Sequence, residues 1–198
     1  MSKLPSRANQ MSKLPTSREE LRAAVTAGQS FEYFFFWGHR KPEDGRTGKS
    51  CLSQWYEQPF VVDGETFATA EHYMMARKAR LFGDEEAARR ALAAATPKEA
   101  KAVGRQVRGF SEEVWRRHRE TIVLEGNLAK FGARPELRDF LLATGDAVIV
   151  EASPRDTIWG IGLGQDNPKA KSPATWRGLN LLGFALVKTR ERLRSPQE

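Results

Sequence analysis

The sequence predicts a single α+β domain that is predominantly helical and carries a small β-sheet. The first observation is the order of elements, because strand patterns come first, a series of capped helical patterns follows, and a strand and a helix close the chain. The second is size, since 198 residues suffice for one domain with a sizeable core. The third is composition, with 40% hydrophobic and 29% charged residues, as in ordinary globular proteins.

The N-terminal residues differ from the rest of the chain. The string MSKLP occurs at Met1 and again at Met11, and the segment contains two prolines and no apolar periodicity. We therefore expect residues 1–16 to form a disordered and dispensable tail, with translation starting at either methionine. Residues 17–198 are expected to form one domain.

The first helix and strand have clear local signals. Ser17 and Glu20 form a capping box, and Gly28 ends a helix over 17–27. The aromatic run 31–37 (FEYFFFW) follows and predicts a strand. Because both of its alternating faces are apolar, we expect it to be buried on both sides.

A polar loop and a hairpin come next. The loop over 39–50 begins with several basic residues, so it either borders a phosphate site or is a solvated connector. Asp63 and Gly64 stand between the apolar runs 58–62 and 65–67, which predicts a β-hairpin.

The helix after this hairpin is the one around which the sequence is organised. Thr69 is its predicted N-cap and Gly83 its C-terminal stop. A carboxylate and an ammonium share one helix face with apolar side chains, which indicates either a covered ion pair or half of a pocket. The members of this face are Glu71, Met74 or Met75, and Lys78.

The rest of the chain is mostly helical by its caps and periodicity. Asp84, Thr96 and Ser111 are predicted N-caps. The predicted helices are 85–94, 97–107, 112–130, 135–143 and 179–193, with a strand at 147–151 and an irregular segment at 153–173.

Several kinds of chemistry are disfavoured by spacing. No His or Cys pair has metal-ligand spacing, so we expect no metal and no cofactor. Nothing near Cys51 marks an activated nucleophile. Gly160, Gly162 and Gly164 do not open a helix as a dinucleotide loop does, so we expect them to let the backbone lie close to a ligand or to another segment.

Two acids are candidate catalytic groups. Glu71 lies on the Met- and Tyr-rich helix, and Asp156 precedes the Trp159-Gly160 turn. An acid among aromatic rings can donate a proton, or can stabilise a cationic sugar when ionised. Each also has a structural interpretation, in which Glu71 pairs with Lys78 and Asp156 caps a turn.

The charge balance favours anionic partners. The net charge is +7 and the pI about 9.7. Since no dense basic block is present, small phosphorylated ligands are favoured over a polymer, although the excess charge also serves to solvate helices. One cysteine, no long apolar run and no apolar leader predict a cytoplasmic protein that does not enter a membrane.

Several strings along the chain resemble the NADAR (YbiA-like) family of N-glycosidases. The longest is LSQWYEQPFVVDGETFATAEHYMMARKARLFGD. PKEAKAVGR, GFSEEVW, AKF, LLATGD, VEASPRDTIWGIGL and WRGLNLLG follow in the family's order and extend the resemblance over about 31–190. The string GARP from position 132 departs from the Ser-Gln-Asn often found there.

The resemblance implies a YbiA-like fold and cofactor-independent hydrolysis of an N-glycosidic bond. It places the catalytic glutamate at Glu71 and an assisting acid at Asp156. It implies that Trp115 and Trp159 form an aromatic wall, and Lys78 is a candidate phosphate contact or partner of Glu71. The substrate-binding residues expected on this basis are Lys78, Trp115, Trp159, Gly160 and Asn180.

Three functions remain open under this resemblance. The first is hydrolysis of phosphorylated ribosylamino-pyrimidine intermediates of riboflavin biosynthesis by a monomer. The second is removal of ADP-ribose from modified guanine in nucleic acid. The third is binding of ADP-ribose or a nucleotide without turnover.

Activity should survive chelation, because no ligand-spaced His or Cys set is present. Turnover measured after EDTA treatment, without added metal, should equal that of untreated protein. A loss that a divalent ion restores would contradict the metal-free mechanism.

Overall fold

The computed structural model describes residues 14–195, and its helices and strands follow one another in the predicted order. The helices are α1 (Arg18–Thr26), α2 (Ala70–Leu81), α3 (Glu85–Leu92), α4 (Pro97–Gly104), α5 (Glu112–Gly132), α6 (Pro135–Ala143) and α7 (Leu181–Arg194). The strands are β1 (Tyr33–Phe36), β2 (Phe60–Val62), β3 (Glu65–Phe67) and β4 (Val148–Glu151). The predicted α+β class, helical with little sheet, is confirmed.

Helix α2 lies at the centre of the fold and packs against α3, α4 and α5. Its residues 70–76 are all buried, as expected for a helix enclosed on every side. The predicted cap is present, since the Thr69 hydroxyl accepts a hydrogen bond from the His72 backbone N–H at 3.4 Å. The His72 ring lies 2.8 Å from the Thr69 hydroxyl and 3.0 Å from the Ala94 carbonyl. Burial lowers the pKa of His72, so the ring serves as a neutral anchor for α2.

Residues 14–195 contain two small sheets. Strands β1 and β4 pair in parallel, with Tyr33 opposite Val148. Parallel strands end at the same edge, so the segments that follow Phe36 and Glu151 leave the sheet side by side. Strands β2 and β3 form the predicted antiparallel hairpin, whose turn has the positive φ values that Asp63-Gly64 tolerates.

The first strand is shorter than predicted. We expected 31–37 to be fully buried, but β1 covers only Tyr33–Phe36 and Trp37 is 65% exposed. The two-faced packing is present, because Phe34 and Phe36 contact one apolar cluster while Tyr33 and Phe35 contact the other. The chain turns at Gly38, with φ 84°, and this turn takes Trp37 out of the strand.

The buried side chain of Lys130 fastens the chain segment that precedes the β2–β3 hairpin. Lys130 is fully buried, and its Nζ donates to the carbonyls of Cys51 and Ser53 at 2.6 and 2.8 Å. Asn127 donates to the Gln54 side chain at 3.1 Å. These contacts fasten residues 51–55, the anchored segment, to α5. Burial raises the pKa of the Cys51 thiol to about 12, which suits an unreactive cysteine.

Helix boundaries differ from the prediction where tertiary contacts intervene. Helix α4 ends at Gly104 rather than near 107, and the Gly104 carbonyl accepts from Lys78 Nζ at 2.7 Å. Helix α7 begins at Leu181 rather than 179, because Asn180 adopts a left-handed conformation with φ 57°. No helix of residues 14–195 combines the length and apolar composition needed to cross a bilayer.

Three residues assigned to the tail contact the fold. Leu14 packs against the main core, Pro15 is buried, and the Thr16 backbone N–H donates to Glu20 at 2.7 Å. The predicted boundary after residue 16 misses them because Leu14 is one apolar residue with no periodic neighbours. The remaining tail prediction, for residues 1–13, lies outside the described residues.

A chain that begins at Ser17 should melt below one that begins at Leu14. Partial burial of one leucine contributes about 1 kcal/mol, which corresponds to roughly 2–4 °C for a domain of this size. Thermal unfolding of the two truncated proteins measures the difference. Equal melting temperatures would show that residues 14–16 do not stabilise the fold.

Candidate active site

A cavity of about 260 Å³ opens where β1 and β4 end. The segments after both strands contribute to it, together with the anchored segment, the first turn of α2, and side chains from α4 and α7. Pockets outside the carboxyl ends of parallel strands are frequent binding sites, because the chain diverges there. Its lining includes three acids, three indole rings and one lysine.

Glu71 is the most deeply buried of the three acids. Its side chain lines the cavity, is 2% exposed, and its Oε1 has no hydrogen-bond partner. Its backbone N–H donates to the Gln54 carbonyl at 3.0 Å, which ties it to the anchored segment. Burial raises the pKa of Glu71 to about 7, against the opposing effects of the Lys101 charge and a Trp55 hydrogen bond. Glu71 is therefore suited to exchange a proton near neutral pH.

Glu151 is a second acid of the cavity, half-buried, which the sequence analysis missed. It ends β4, lines the cavity, and its Oε2 is buried without a partner. Burial raises the pKa of Glu151 to about 8, and the charge of Asp156 adds to this shift while Lys101 opposes it. The sequence did contain one signal for this residue, because Glu151 is an acid at the carboxyl end of a predicted strand, where binding sites are frequent.

Asp156 caps a turn and also faces the cavity, and its catalytic role stays a prediction. Its Oδ1 accepts hydrogen bonds from the backbone N–H groups of Ile158 and Trp159 at 2.8 and 2.7 Å, so it caps the turn. It also lines the cavity. Its charge acts on both Glu71 and Glu151.

The aromatic wall is built from Trp37, Trp55 and Trp159. Only Trp159 was predicted, because the other two reach the cavity through tertiary contacts. Lys101 lies over the Trp55 ring at 5.7 Å, and the His39 ring is 5.5 Å from it. The start of the basic loop 39–50 therefore borders the site.

Lys78 and Trp115 lie in a different cluster and do not line this cavity. The Lys78 ammonium sits 4.2 Å from the Phe110 ring centre and 5.5 Å from that of Trp115. No Lys78–Glu71 salt bridge is formed among the described residues. The predicted face of α2 therefore divides, with Glu71 and Met74 on the cavity and Lys78 directed at Gly104.

Gly160 and Asn180 hold the site in place. Asn180 is fully buried and donates to the Ile149 carbonyl, while its Oδ1 accepts from the Glu151 N–H, both at 2.9 Å. A side chain at Gly160 would meet the Glu151 carbonyl at 2.8 Å, so glycine permits the close approach that was predicted. Neither residue lines the cavity; both position the backbone of Glu151.

The donor set does not resemble a metal site. Within residues 14–195, no three His, Cys, Asp or Glu side chains are grouped suitably for a metal ion. The cavity instead combines proton-exchanging acids with flat aromatic faces. These acids and rings suit general acid–base catalysis on a ligand that contains a planar nucleobase-like ring.

Comparison with known proteins identifies the family. The NADAR domain matches residues 35–194, which is most of the chain. The chain belongs to the NADAR family. An N-glycosidase of Acanthamoeba polyphaga mimivirus is 42% identical over 81% of this chain and 95% of its own length. An N-glycosidase of Nostoc punctiforme is 36% identical over 73% of this chain and 86% of its own.

A solved structure agrees with this assignment. The NMR structure of YbiA from Escherichia coli matches this NADAR domain with a TM-score of 0.62 and 27% identity, covering 91% of this chain and 93% of that one. The predicted family and the YbiA-like fold are therefore confirmed. The names of the relatives confirm the prediction of a hydrolase of N-glycosyl bonds.

Glu71→Gln should stabilise the protein above neutral pH. A folded-state pKa of about 7, against an ordinary value of 4.5, means that the folded state binds the proton more tightly than the unfolded state does. Stability therefore falls as pH rises through this window, and glutamine removes the loss. The melting temperature of the variant should exceed that of the wild type at about pH 8, whereas the two should be similar at about pH 4.

Glu113→Gln, an exposed change on α5, serves as the control and should alter neither melting temperature appreciably. A Glu71→Gln protein that melts lower than the wild type at about pH 8 would instead indicate that Glu71 has a stabilising ion-pair role.

Proposed function

We propose that this NADAR protein hydrolyses the N-glycosidic bond of phosphorylated ribosylamino-pyrimidine intermediates of riboflavin biosynthesis. The observation that carries the proposal is Glu71, a buried carboxyl with an unpartnered oxygen in a cavity walled by indole rings. A binding module would gain nothing from this arrangement, since a buried acid without a partner is costly.

Cavity size supports a small substrate. Its volume of about 260 Å³ lies below the range of about 300–1,000 Å³ typical of sites for drug-sized ligands. A single-ring base with its ribose suits such a space better than a complete ADP-ribosyl nucleotide does. Lys101 at the cavity and Arg105, whose charge acts on Glu71, supply positive charge for a phosphate.

The proposed reaction proceeds through an oxocarbenium-like ribose. The base stacks against the indoles of Trp55 and Trp159 as the C1′–N bond lengthens. Ionised Glu71 stabilises the positive charge that develops on the ribose, then accepts a proton from the attacking water. Asp156, fixed by its two backbone donors, orients the water or the ribose hydroxyls.

A second candidate is removal of ADP-ribose from guanine in nucleic acid. Trp37 favours it, because this cavity-lining indole is 65% exposed and offers a stacking surface for a base of an extended substrate. The net charge of +7 would assist binding to a polyanion.

Incubation of pure protein with each substrate class, followed by mass detection of released base and ribose product, decides between the candidates. We expect turnover of the ribosylamino-pyrimidine phosphates. Glu71→Gln should reduce that rate by about 10²–10⁴-fold, the usual contribution of acid–base catalysis, while affinity for a product analogue stays within a few-fold.

Glu113→Gln is again the matched control and should keep the wild-type rate. Turnover of ADP-ribosylated DNA alone would favour the second candidate. Binding of ligands without turnover of either class would leave a binding module, and a near-normal rate in Glu71→Gln would remove its catalytic assignment.

A further inference from the structure

The backbone of Glu151 is held by hydrogen bonds on both sides, whereas one oxygen of its side chain has no hydrogen-bond partner. Its N–H donates to the Asn180 side chain at 2.9 Å, and its carbonyl accepts from the Ile161 N–H at 3.0 Å. These bonds hold the end of β4 in place. The side-chain Oε2 is buried without a partner and the side chain lines the cavity. The carboxyl is therefore positioned toward a ligand rather than engaged in the fold.

The charges around the cavity do not balance. Three acids line it, namely Glu71 from α2, Glu151 from β4 and Asp156 from the following turn. Lys101 from α4 and His39 from the segment after β1 are the cationic or titratable side chains opposite them within the described lining. The charges of these carboxylates act on one another, and carboxylates that interact in a low-dielectric site do not all ionise together, so one or more retains a proton.

The surroundings distinguish which acid keeps the proton. Asp156 receives two backbone N–H bonds, which suit a carboxylate. Glu71 is favoured in its ionised form by Lys101, the Trp55 hydrogen bond and Arg105, and is disfavoured in that form by the negative charge of Asp156. Glu151 is influenced by the negative charges of both Asp156 and Glu71, with Lys101 the opposing charge. Glu151 is thus the acid with the strongest reason to stay neutral.

We infer that Glu151 is the general acid of the site and donates its proton to the leaving nitrogen, while Glu71 acts as the carboxylate. This assignment rests on the proposed N-glycosidase function and adds a catalytic residue to it. It also gives the two buried, unpartnered carboxyl oxygens complementary uses.

The step balances without a further reactant. The C1′–N bond breaks with its electron pair on nitrogen, which takes the proton of Glu151 and leaves as a neutral amine. Water forms the new C1′–O bond and gives a proton to Glu71. The products are the free base amine and the ribose phosphate with a C1′ hydroxyl. The proton on Glu71 then returns through solvent to Glu151, which restores the starting state.

The test compares the wild type with Glu151→Gln on the ribosylamino-pyrimidine phosphates across pH. The wild-type rate should rise as Glu71 ionises and fall at alkaline pH as Glu151 loses its proton. Glutamine cannot donate the proton, so the variant should lose about 10²–10⁴-fold in kcat/KM and should lack the alkaline decline. Glu151→Asp, which retains an acid, should recover part of the rate together with that decline.

The melting temperature of Glu151→Gln should stay close to that of the wild type or rise, because the anchoring bonds use backbone atoms. If this variant fails to fold, the Asp variant and the wild-type profile carry the test. A rate within about threefold of wild type, or an alkaline decline that persists in Glu151→Gln, would overturn the assignment.

A measurement independent of turnover separates this inference from the proposed function. In protein labelled with carbon-13 at glutamate side chains, the carboxyl signal that disappears in Glu151→Gln should be that of a protonated acid at about pH 7. An ionised Glu151 would overturn the inference even if the protein is an active glycosidase. A protonated Glu151 in a protein without turnover would overturn the function alone.

Discussion

The site depends on the buried side chain of Lys130, which does not itself line the cavity. Lys130 donates to two carbonyls of the anchored segment, and the rings of Tyr56 and Phe131 lie 5.6 and 5.0 Å from its Nζ. A buried polar group is costly unless it is hydrogen-bonded, and here the two carbonyls accept its hydrogen bonds while the ring faces lie beside it. The anchored segment carries Gln54, whose carbonyl fixes the start of α2, and the indole of Trp55.

A similar arrangement fixes the opposite side of the cavity. The side-chain amide of Asn180 connects two residues of β4, because it donates to the Ile149 carbonyl and accepts from the Glu151 N–H. A side chain at Gly183 would collide with the Ile149 carbonyl and with Asn180, so glycine lets α7 approach the strand closely. Both halves of the site are therefore held by buried polar groups with defined geometry, which suits a site that must keep its acids at fixed positions.

The sequence predicts those features whose cause is local. The Thr69 cap and the Asp63-Gly64 hairpin are confirmed because each depends on a few adjacent residues. Glu71, Asp156 and Trp159 were named from motifs and do line one cavity. The role of each in catalysis stays a prediction.

What the sequence did not show depends on contacts between distant segments. Trp37, Trp55, Lys101 and Glu151 meet only after β1 pairs with β4 and α4 packs on α2. Conversely, helical spacing grouped Lys78 with Glu71, but the side chains of a buried helix point in several directions. Lys78 contacts the Gly104 carbonyl and the ring of Phe110 and does not reach the cavity.

The parallel pairing of β1 with β4 also bears on how the protein is made. Tyr33 can pair with its partner Val148 only after the whole segment between them has been synthesised. Helix α7, which contributes Leu182 to the cavity, follows later still. Contacts between such distant segments form late because a long loop must close first. A nascent chain therefore carries Glu71 without a complete site around it until β4 and the start of α7 have been synthesised. During that interval the aromatic run of β1 lacks its partner strand, and an unpaired apolar strand is prone to aggregate before folding is complete.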